Sequence, residues 1–396
     1  MKSQLITFVK VHPRLMLFAT KSMGCFMRLW GLFVPIKKKT ALFSSFGGRK
    51  FDDSPKAIYD EMCSRKEFDG WTFIWAFVEP DIVNIPRGEK VKIDTPQFFR
   101  VLLSSHVWVG NSEIGRGMNL RSKKHISVET WHGTPLKRIC GEEATAYAAF
   151  RPERYKGKID NQTIRCAQSE HDRTIFQRIF HASKESILLC DLPRNDSLLK
   201  YTPEDIQRIK ESLDISADKK VILYTPTYRE YLVNNDYDTY LAPPLNLEKW
   251  EAKLGKDYVF LIRAHYAVTA ALNVKENDFV RDVSSYPTLN DLYIISDLMI
   301  SDYSSTYFDY AILDRPMLCF AYDEDEYEAK RGLYLNLADT LPCEIDKNED
   351  SLIERISNLD YASYSERAKA FHQRFAPFTG EASKRVVDEV LKRVRL

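Results

Sequence analysis

The feature that most constrains the fold of this 396-residue chain is a series of short apolar runs that end in polar residues. In the second half of the chain, apolar runs lead directly into "TPTYRE", "RAHY" and "SDYSS". Segments with helical spacing, such as "TLNDLYIIS", lie between the runs. Apolar strands that alternate with helices are typical of parallel sheets covered on both faces. Because ligands bind beyond the carboxyl ends of the strands in such sheets, the polar residues at these ends mark the expected site.

The alternation occurs twice along the chain. Strands are predicted at "ALFSSFGG", "WTFIWAFV", "VWVGNS", "HISVETWHG" and "SILLCDLPRND" in the first half, and at "VILYT", "YVFLI", "DFVRDVS", "LMIS" and "PMLCF" in the second. A polar amphipathic stretch, residues 202–220, separates the two series. We therefore predict an α/β protein with two Rossmann-like domains that face each other across a cleft, at residues 41–215 and 216–396.

The first forty residues contain eight basic side chains and no acidic one. Arg14, Lys21 and Arg28 are spaced by seven, so on a helix they form one narrow polar stripe surrounded by apolar surface. The longest apolar run, residues 29–36, is too short to span a bilayer, and the lysines at 37–39 argue against a secretory signal. A helix packed on the protein's own core is the alternative. The combination of apolar area and basic charge favours peripheral docking on an anionic membrane surface by residues 1–40.

Composition and missing motifs exclude several function classes. The 57 basic and 56 acidic residues leave no overall field that would attract nucleic acid. The seven cysteines have no metal-binding spacing, which predicts reduced thiols and no zinc site. The chain contains no P-loop, no G-x-G-x-x-G and no G-x-S-x-G, so the usual sequence evidence for ATP-type transfer, dinucleotide binding or serine hydrolysis is absent. We expect no metal and no cofactor.

Two strand-end clusters have the chemistry of an anion site. In "LIRAHY", Arg263 and His265 alternate with an alanine, so both point to the same side of an extended chain. In "SDYSST", Ser304, Ser305 and Thr306 bring hydroxyl and N–H groups to the start of a helix, which suits a phosphate. The competing interpretation is that these residues only cap the helix.

His132, in the turn "ETWHGTPLKR", is the second candidate histidine. A histidine near a strand end is more often structural than catalytic, and Arg194 and Arg229, after proline-containing turns, could be local ion-pair partners. Together with His265, however, these residues suit displacement at a phosphorus centre. One histidine would take the proton from an attacking hydroxyl, while the other groups hold the developing phosphate charge.

The motifs "WHGTPLKR", "LPRNDSL", "ILYTPTYRE", "IRAHY", "ISDYSSTYFDYAILDRP" and "YDEDEY…RGLY", in this order, resemble the CDP-glycerol glycerophosphotransferase family of teichoic acid synthesis. The resemblance runs from about residue 41 to the terminal "FAPFTGEASKRVVDEVL", and the length resembles the short, priming-type members. It implies a GT-B fold with an acceptor domain at 41–215 and a CDP-polyol donor domain at 216–396. It also implies transfer of glycerol phosphate from CDP-glycerol to a hydroxyl of a polyprenyl-diphosphate-linked saccharide or polyol-phosphate chain. CMP would be released at the cytoplasmic face of the plasma membrane.

The resemblance also implies roles for individual residues. His132 would be the general base, and His265 with Arg263 would stabilise the pyrophosphate and the leaving group. Further donor contacts are expected from Thr227, Arg229, Ser304, Ser305, Thr306, Arg331 and Gly332. Contacts on the phosphate and acceptor side are expected from Gly133, Thr134, Lys137, Arg194, Asn195 and Asp196. The chain departs from the family pattern at Asp191 and Leu192, before "PRND", where a small residue is usual.

Three alternatives stay open on the sequence. The donor could be CDP-ribitol, or the chain could be a GT-B glycosyltransferase that uses a nucleotide sugar in capsule assembly. It could also be a peripheral membrane scaffold that keeps the fold without turnover.

Overall fold

The computed structural model describes residues 13–144, 162–229, 243–264, 274–378 and 380–395. These residues fall into two compact units. The described parts of Met1–His132, Tyr147–Arg194 and Glu381–Leu396 form the first unit, and those of Gly133–Ala146 and Asn195–Gly380 form the second.

The first unit is built on a seven-stranded sheet in which every pair of neighbouring strands is parallel. Its strands are β1 (Lys37–Ser44), β2 (Thr72–Phe77), β3 (Glu89–Lys92), β4 (Ser105–Gly110), β5 (Ile126–Glu129), β6 (Thr163–Ala167) and β7 (Ile187–Leu189), in the order β3-β2-β1-β4-β5-β6-β7. Its helices are α1 (Pro13–Gly31), α2 (Asp53–Ser64), α3 (Pro96–Ser104), α4 (Glu170–Phe180) and α13 (Ala382–Arg395).

Local sequence explains these elements. Proline at the first position of α3 follows Thr95, whose hydroxyl accepts the N–H of Phe98, and Ser169 caps α4 in the same way. Large apolar side chains occupy the neighbouring strands β1 and β2: Phe43 of β1 stacks on Trp75 of β2 with 5.3 Å between ring centroids. Strands buried on both faces in this way require helices on each side of the sheet.

The second unit contains a six-stranded parallel sheet. Its strands are β8 (Lys220–Thr225), β9 (Tyr258–Ile262), β10 (Val280–Asp282), β11 (Leu298–Ser301), β12 (Met317–Phe320) and β13 (Ile345–Asp346), in the order β10-β9-β8-β11-β12-β13. Its helices are α5 (Pro203–Ser212), α6 (Leu247–Leu254), α7 (Leu289–Ile295), α8 (Thr306–Tyr310), α9 (Glu324–Lys330), α10 (Leu337–Thr340), α11 (Glu349–Ser357) and α12 (Tyr361–Phe375).

In both sheets the strand order reverses next to the first strand of the unit. The reversal lies between β1 and β4 in the first sheet and between β8 and β11 in the second. Connections leave in opposite directions at such a point, which opens a crevice at the carboxyl ends of the two strands. The fold therefore places one expected binding crevice in each unit.

The predicted α/β class with two parallel sheets is confirmed. The units divide the chain differently from the predicted boundaries, because residues 133–144 and 195–215 pack within the second unit and α13 within the first. The sequence analysis also missed β3, β6 and β13. β6 was missed because Arg165, a buried charged residue, lies in the middle of the strand. The acceptor and donor roles of the two parts of the chain stay predictions.

Helix α1 covers part of the predicted membrane segment, and the last residues of that segment already belong to β1. Met27 packs into the core of the first unit, whereas several apolar side chains point to solvent. The exposed fractions are 62% for Phe26, 78% for Leu32 and 84% for Phe33. Among the described residues, no helix is both long and apolar enough to cross a membrane.

The C-terminal helix α13 is part of the core of the first unit. Val386, Val387 and Val390 are fully buried, and Arg65 after α2 forms ion pairs with Asp388 and Glu61. Replacing Val387 by alanine should lower the free energy of unfolding by about 2 kcal/mol, because apolar contact is lost and a cavity remains.

Urea unfolding checks this prediction, with Lys392→Ala on the exposed face of the same helix as the control. The control should change the free energy of unfolding by less than about 0.5 kcal/mol. Equal effects of the two substitutions would show that α13 does not stabilise the unit by its buried face.

Candidate active site

The crevice of the first unit is closed by Asn111, which directly follows β4. Its side chain is fully buried. The Asn111 Oδ1 atom accepts the N–H of Phe46 at 2.7 Å, and its Nδ2 donates to the Ser45 hydroxyl at 3.2 Å. Asn111 therefore joins the ends of the two strands between which the sheet order reverses, and its own backbone carbonyl is held in a defined position.

His132 is held by that carbonyl. The Nδ1 atom of His132 lies 2.9 Å from Asn111 O, and the imidazole stacks on Trp131 with 4.3 Å between ring centroids. A carbonyl oxygen can only accept a hydrogen bond, so Nδ1 must carry the proton. In the neutral ring Nε2 then holds the lone pair, which is the form that a general base requires. The side chain is exposed, so substrate can reach it.

The backbone on both sides of His132 has unusual conformations. Trp131 has a φ of 56° and Gly133 a φ of 145°. A bulky residue rarely adopts a positive φ, and the Gly133 value is favourable only for glycine. Strained backbone of this kind concentrates at functional sites, where the surrounding structure stabilises it.

Arg194 holds the loop that carries His132. Its Nη2 donates to the carbonyl of His132 at 3.2 Å, and its Nη1 pairs with Asp53 at 2.6 Å. Burial of the Asp53 carboxyl raises its pKa, but the charge of Arg194 and the hydrogen bond from Ser54 N lower it, and the net shift is downward. Asp53 is therefore the ionised partner that positions Arg194.

The crevice of the second unit is organised by Asp302, which directly follows β11. Its carboxylate accepts the N–H of Thr227 at 2.9 Å and pairs with Arg229 Nη1 at 2.9 Å. Arg229 Nε also pairs with Asp323 at 2.7 Å, and its guanidinium lies 4.8 Å from the ring centroid of Tyr303. Burial lowers the pKa of Arg229, but these two carboxylates raise it by more. Arg229 is thus engaged by the protein's own groups, and the geometry favours a positioning role over direct donor contact.

Hydroxyl groups line the same crevice. The buried Thr227 hydroxyl has no hydrogen-bond partner among the described residues. Thr225 Oγ1 and Thr306 Oγ1 are 3.4 Å apart, and Ser304 Oγ accepts the N–H of Thr306 at 3.2 Å. Ser304, Ser305 and Thr306 are half-buried at the start of α8, which has only five residues.

Arg263 follows β9 in the second unit. Its backbone N–H donates to Tyr224 O at 2.8 Å and so continues the β8–β9 ladder. Its Nη1 donates to Val283 O at 3.0 Å and to Tyr286 O. His265, the predicted partner of Arg263, lies outside the described residues.

The remaining predicted residues lie in the second unit. The backbone of the segment after Gly133 bonds to that of the segment after Arg331. Arg138 N donates to Gly332 O at 3.0 Å, and Lys137 forms an isolated antiparallel β-bridge with Leu333. Gly332 has a φ of 77°, and a Cβ there would approach the Arg138 side chain to 2.9 Å. Arg331 Nη1 lies 3.3 Å from Glu143 Oε1. Thr134, Asn195 and Asp196 are buried, and Asn195 Nδ2 donates to Asp309 at 2.8 Å.

The structure thus brings His132 and Arg194 together in the first unit, and Thr227, Arg229 and Ser304–Thr306 together in the second. Sequence reasoning missed Asn111, Asp53 and Asp323, which hold these residues, and named Asp302 only as a member of the "SDYSST" cluster. It also missed Glu143, the partner of Arg331. Asn111 and Asp302 could have been found as the first polar residues after the strands that flank the reversal.

At the departure from the family pattern, the Asp191 carboxylate accepts the N–H of Leu192 at 2.7 Å and a bond from Gln168 at 2.9 Å. Within the described ranges, no group of acidic, histidine or cysteine side chains could hold a metal ion.

Comparisons with known proteins point to one family. The model of the family described as CDP-Glycerol:Poly(glycerophosphate) glycerophosphotransferase matches residues 26–392. A teichoic acid poly(glycerol phosphate) polymerase of Staphylococcus epidermidis is 35% identical over 375 residues, which are 91% of this chain and 51% of that protein. The chain therefore spans about half the length of that relative. A teichoic acid glycerol-phosphate transferase of Staphylococcus aureus is 31% identical, over 90% of this chain and 93% of that protein.

A solved structure shows the same likeness. A histidine-to-asparagine variant of the wall teichoic acid polymerase TagF, soaked with CDPG, has a TM-score of 0.82 and 33% sequence identity. The match covers 91% of this chain and 90% of that chain. A likeness of this extent includes both parallel sheets and agrees with the predicted GT-B-like fold.

The ion pair between Asp53 and Arg194 gives a pH-dependent prediction. Asp53→Asn should lower the free energy of unfolding by about 3 kcal/mol at pH 7, because a buried guanidinium loses its partner. The pKa of Asp53 is lower in the folded protein. Its contribution is therefore complete above the unfolded pKa near 3.8 and is lost as the pH falls through the folded value. The difference between wild type and variant should shrink below pH 3.8.

Denaturant unfolding from pH 7 to pH 2.5 measures this difference. The control is Asp94→Asn, which removes the more exposed ion pair with Arg116 and should cost less than about 1 kcal/mol. A cost for Asp53→Asn that stays constant down to pH 2.5 would contradict an ionised role for Asp53.

Proposed function

The chain belongs to the CDP-Glycerol:Poly(glycerophosphate) glycerophosphotransferase family, and we propose that it transfers glycerol phosphate from CDP-glycerol to an acceptor hydroxyl. The acceptor is a hydroxyl of a polyprenyl-diphosphate-linked saccharide or of a growing polyol-phosphate chain, and CMP is released. The observation that carries this proposal is the hydrogen bond from His132 Nδ1 to Asn111 O, which leaves Nε2 as the basic nitrogen of an exposed imidazole.

In the proposed reaction, the acceptor oxygen attacks the phosphorus that bears glycerol. A new phosphodiester bond forms, the bond from this phosphorus to the bridging oxygen breaks, and the bridging oxygen leaves with CMP. His132 Nε2 takes the proton of the acceptor hydroxyl. Arg194, through the His132 carbonyl and Asp53, keeps the loop in place during proton transfer.

The donor is proposed to use the crevice of the second unit. Arg263 and His265 stabilise the charge that develops on the leaving phosphate, and the hydroxyls of Thr227, Ser304, Ser305 and Thr306 donate hydrogen bonds to the diphosphate. Support comes from the buried Thr227 hydroxyl, which lacks a partner among the described residues and would gain one from a phosphate oxygen. Arg331 and Gly332 border the donor, and Arg229 acts by positioning Asp302 and Thr227.

We also propose that the protein is peripheral at the cytoplasmic face of the plasma membrane. Helix α1 and the residues after it expose Phe26, Leu32 and Phe33, and the exposed Lys21 and Arg28 lie among them. Aromatic and aliphatic side chains beside basic ones suit insertion into an anionic interface. A lipid-linked acceptor would be reached there.

The base assignment is tested by His132→Asn. With CDP-glycerol and a defined polyprenyl-diphosphate-linked saccharide, CMP release should fall at least about 100-fold, because general base catalysis contributes on this order. The matched control is His181→Asn, an exposed histidine at the C-terminus of α4 whose φ of 52° asparagine tolerates. The control should retain wild-type turnover. Full CMP release by His132→Asn would remove His132 from the mechanism.

The donor assignment is tested by thermal shift. CDP-glycerol should raise the melting temperature, since a ligand that binds the native state stabilises it. UDP- and GDP-sugars should leave it unchanged. A shift with CDP-ribitol alone would assign the ribitol donor, and a shift with nucleotide sugars alone would favour a glycosyltransferase. The absence of any shift, with vesicle binding retained, would favour a membrane scaffold.

A further inference from the structure

The first unit contains a pocket that none of the predicted site residues lines. It is an open pocket that lies beyond β4 and β5. Its wall includes the aromatic side chains of Trp108, Trp131, Phe176 and Phe180. An aromatic lining with a few polar groups that fix orientation is typical of a small-molecule site.

Two buried arginines form the polar part of the pocket. The side chains of Arg121 and Arg165 are 7% and 4% exposed, and both pair with Glu129. The distances are 2.9 Å from Arg121 Nη1 to Oε1 and 3.0 Å from Arg165 Nε to Oε2. Glu113 is the other acidic residue in the lining. Two guanidinium groups therefore share the single carboxylate of Glu129.

One edge of the Arg121 guanidinium has no acceptor. Its Nη1 donates to the Thr163 hydroxyl at 2.7 Å, whereas Nη2 is buried and has no hydrogen-bond partner among the described residues. A buried donor on a charged group without a partner is costly. An oxyanion in the pocket would satisfy it, and phosphate is one of the groups whose geometry matches a guanidinium.

The pocket and the proposed base share a wall. Trp131 lines the pocket and also stacks on the imidazole of His132, with 4.3 Å between the centroids. Phe180 lies 5.3 Å from Trp131, and the Arg165 guanidinium lies 5.7 Å from Phe180. Trp131 is therefore the residue that connects this pocket with the proposed base.

Another part of the pocket wall adjoins helix α1. Met118 lines the pocket, and a Cβ placed on Gly24 of α1 would lie 3.6 Å from the Met118 Cβ. The same helix exposes Phe26 to solvent. The pocket is thus next to the helix proposed to rest on the membrane, which is where a lipid-linked acceptor would arrive.

We infer that this pocket is an acceptor subsite that binds a phosphate group of the acceptor against Arg121 Nη2. The saccharide or polyol between that phosphate and the reacting hydroxyl lies on the Trp131 and Phe180 rings. The inference rests on the proposed function and extends it, because it names the residues that distinguish a phosphate-bearing acceptor from a neutral one.

Steady-state kinetics test the subsite with two synthetic acceptors that differ only in a linker, one a phosphodiester and the other a neutral ether. Arg121→Met removes the charge at similar length. Ile114→Trp fills the pocket from its half-buried wall and leaves the ion pairs intact. Both should raise the KM for the phosphodiester acceptor roughly 10-fold or more. Arg121→Met removes a hydrogen bond from a charged group, and Ile114→Trp fills the space that the acceptor needs. The KM for CDP-glycerol should not change, and this shows that the variants are folded.

The neutral acceptor distinguishes the loss of phosphate binding from the steric exclusion of the linker. Arg121→Met should leave its KM unchanged, whereas Ile114→Trp should raise it, since added volume excludes either linker. An unchanged KM for the phosphodiester acceptor in both variants, or an equal rise for both acceptors in Arg121→Met, would overturn the inference. If the wild type releases no CMP with either acceptor, the proposed function fails instead. Thermal stabilisation by sn-glycerol 3-phosphate, present in wild type and absent in Arg121→Met, would still support a phosphate site, and its absence in wild type would refute it.

Discussion

Parallel pairing of the described strands is the constraint on which both candidate sites depend. It brings the carboxyl ends of all strands in a sheet to one edge, and the reversal of strand order opens a crevice at that edge. Each crevice is then closed by the first polar residue after a central strand. Asn111 joins the ends of β1 and β4, and Asp302 joins the segments after β8 and β11. The same structural solution therefore appears twice in one chain.

The buried ion pairs position other residues, and they contribute less to the stability of the fold. A buried ion pair gains little over a well-packed apolar pair, because desolvation offsets the attraction. Arg229 between Asp302 and Asp323, and Arg194 beside Asp53, are difficult to explain by stability alone. Each pair instead holds a loop that presents a proposed site residue, Thr227 in one unit and His132 in the other. The positive φ of Trp131 shows that the His132 loop is not a conformation the local sequence would adopt unaided.

The sequence predicted the α/β class, two parallel sheets and most of the strands, because apolar runs and helix caps are local signals. It did not predict which part of the chain packs with which sheet. That α13 returns to the first unit depends on Val386 and Val387 meeting α2, a contact between distant parts of the sequence. His132 and the site arginines could be predicted because they lie in recognisable sequence motifs. Asn111 and Asp53 could not, because their roles depend on contacts with His132 and Arg194 that form only in the folded chain. Arg229 was predicted as a donor contact from its motif, and only the structure reveals the two carboxylates that surround it.

Arg165 shows how a residue that suggests a function can also prevent a strand from being predicted. A charged side chain in the middle of a five-residue strand weakens the apolar pattern, so β6 escaped prediction. In the structure, β5 and β6 pair directly through Glu129 and Arg165, and Arg121 joins their side chains from the segment before β5. Apolar residues at these positions would fill the sheet interior at no cost in hydrogen bonding. The buried Arg121 Nη2, which has no hydrogen-bond partner among the described residues, is therefore better explained by a ligand that supplies the acceptor than by the needs of the sheet. The strand that sequence patterns failed to identify is therefore part of the acceptor subsite that we propose.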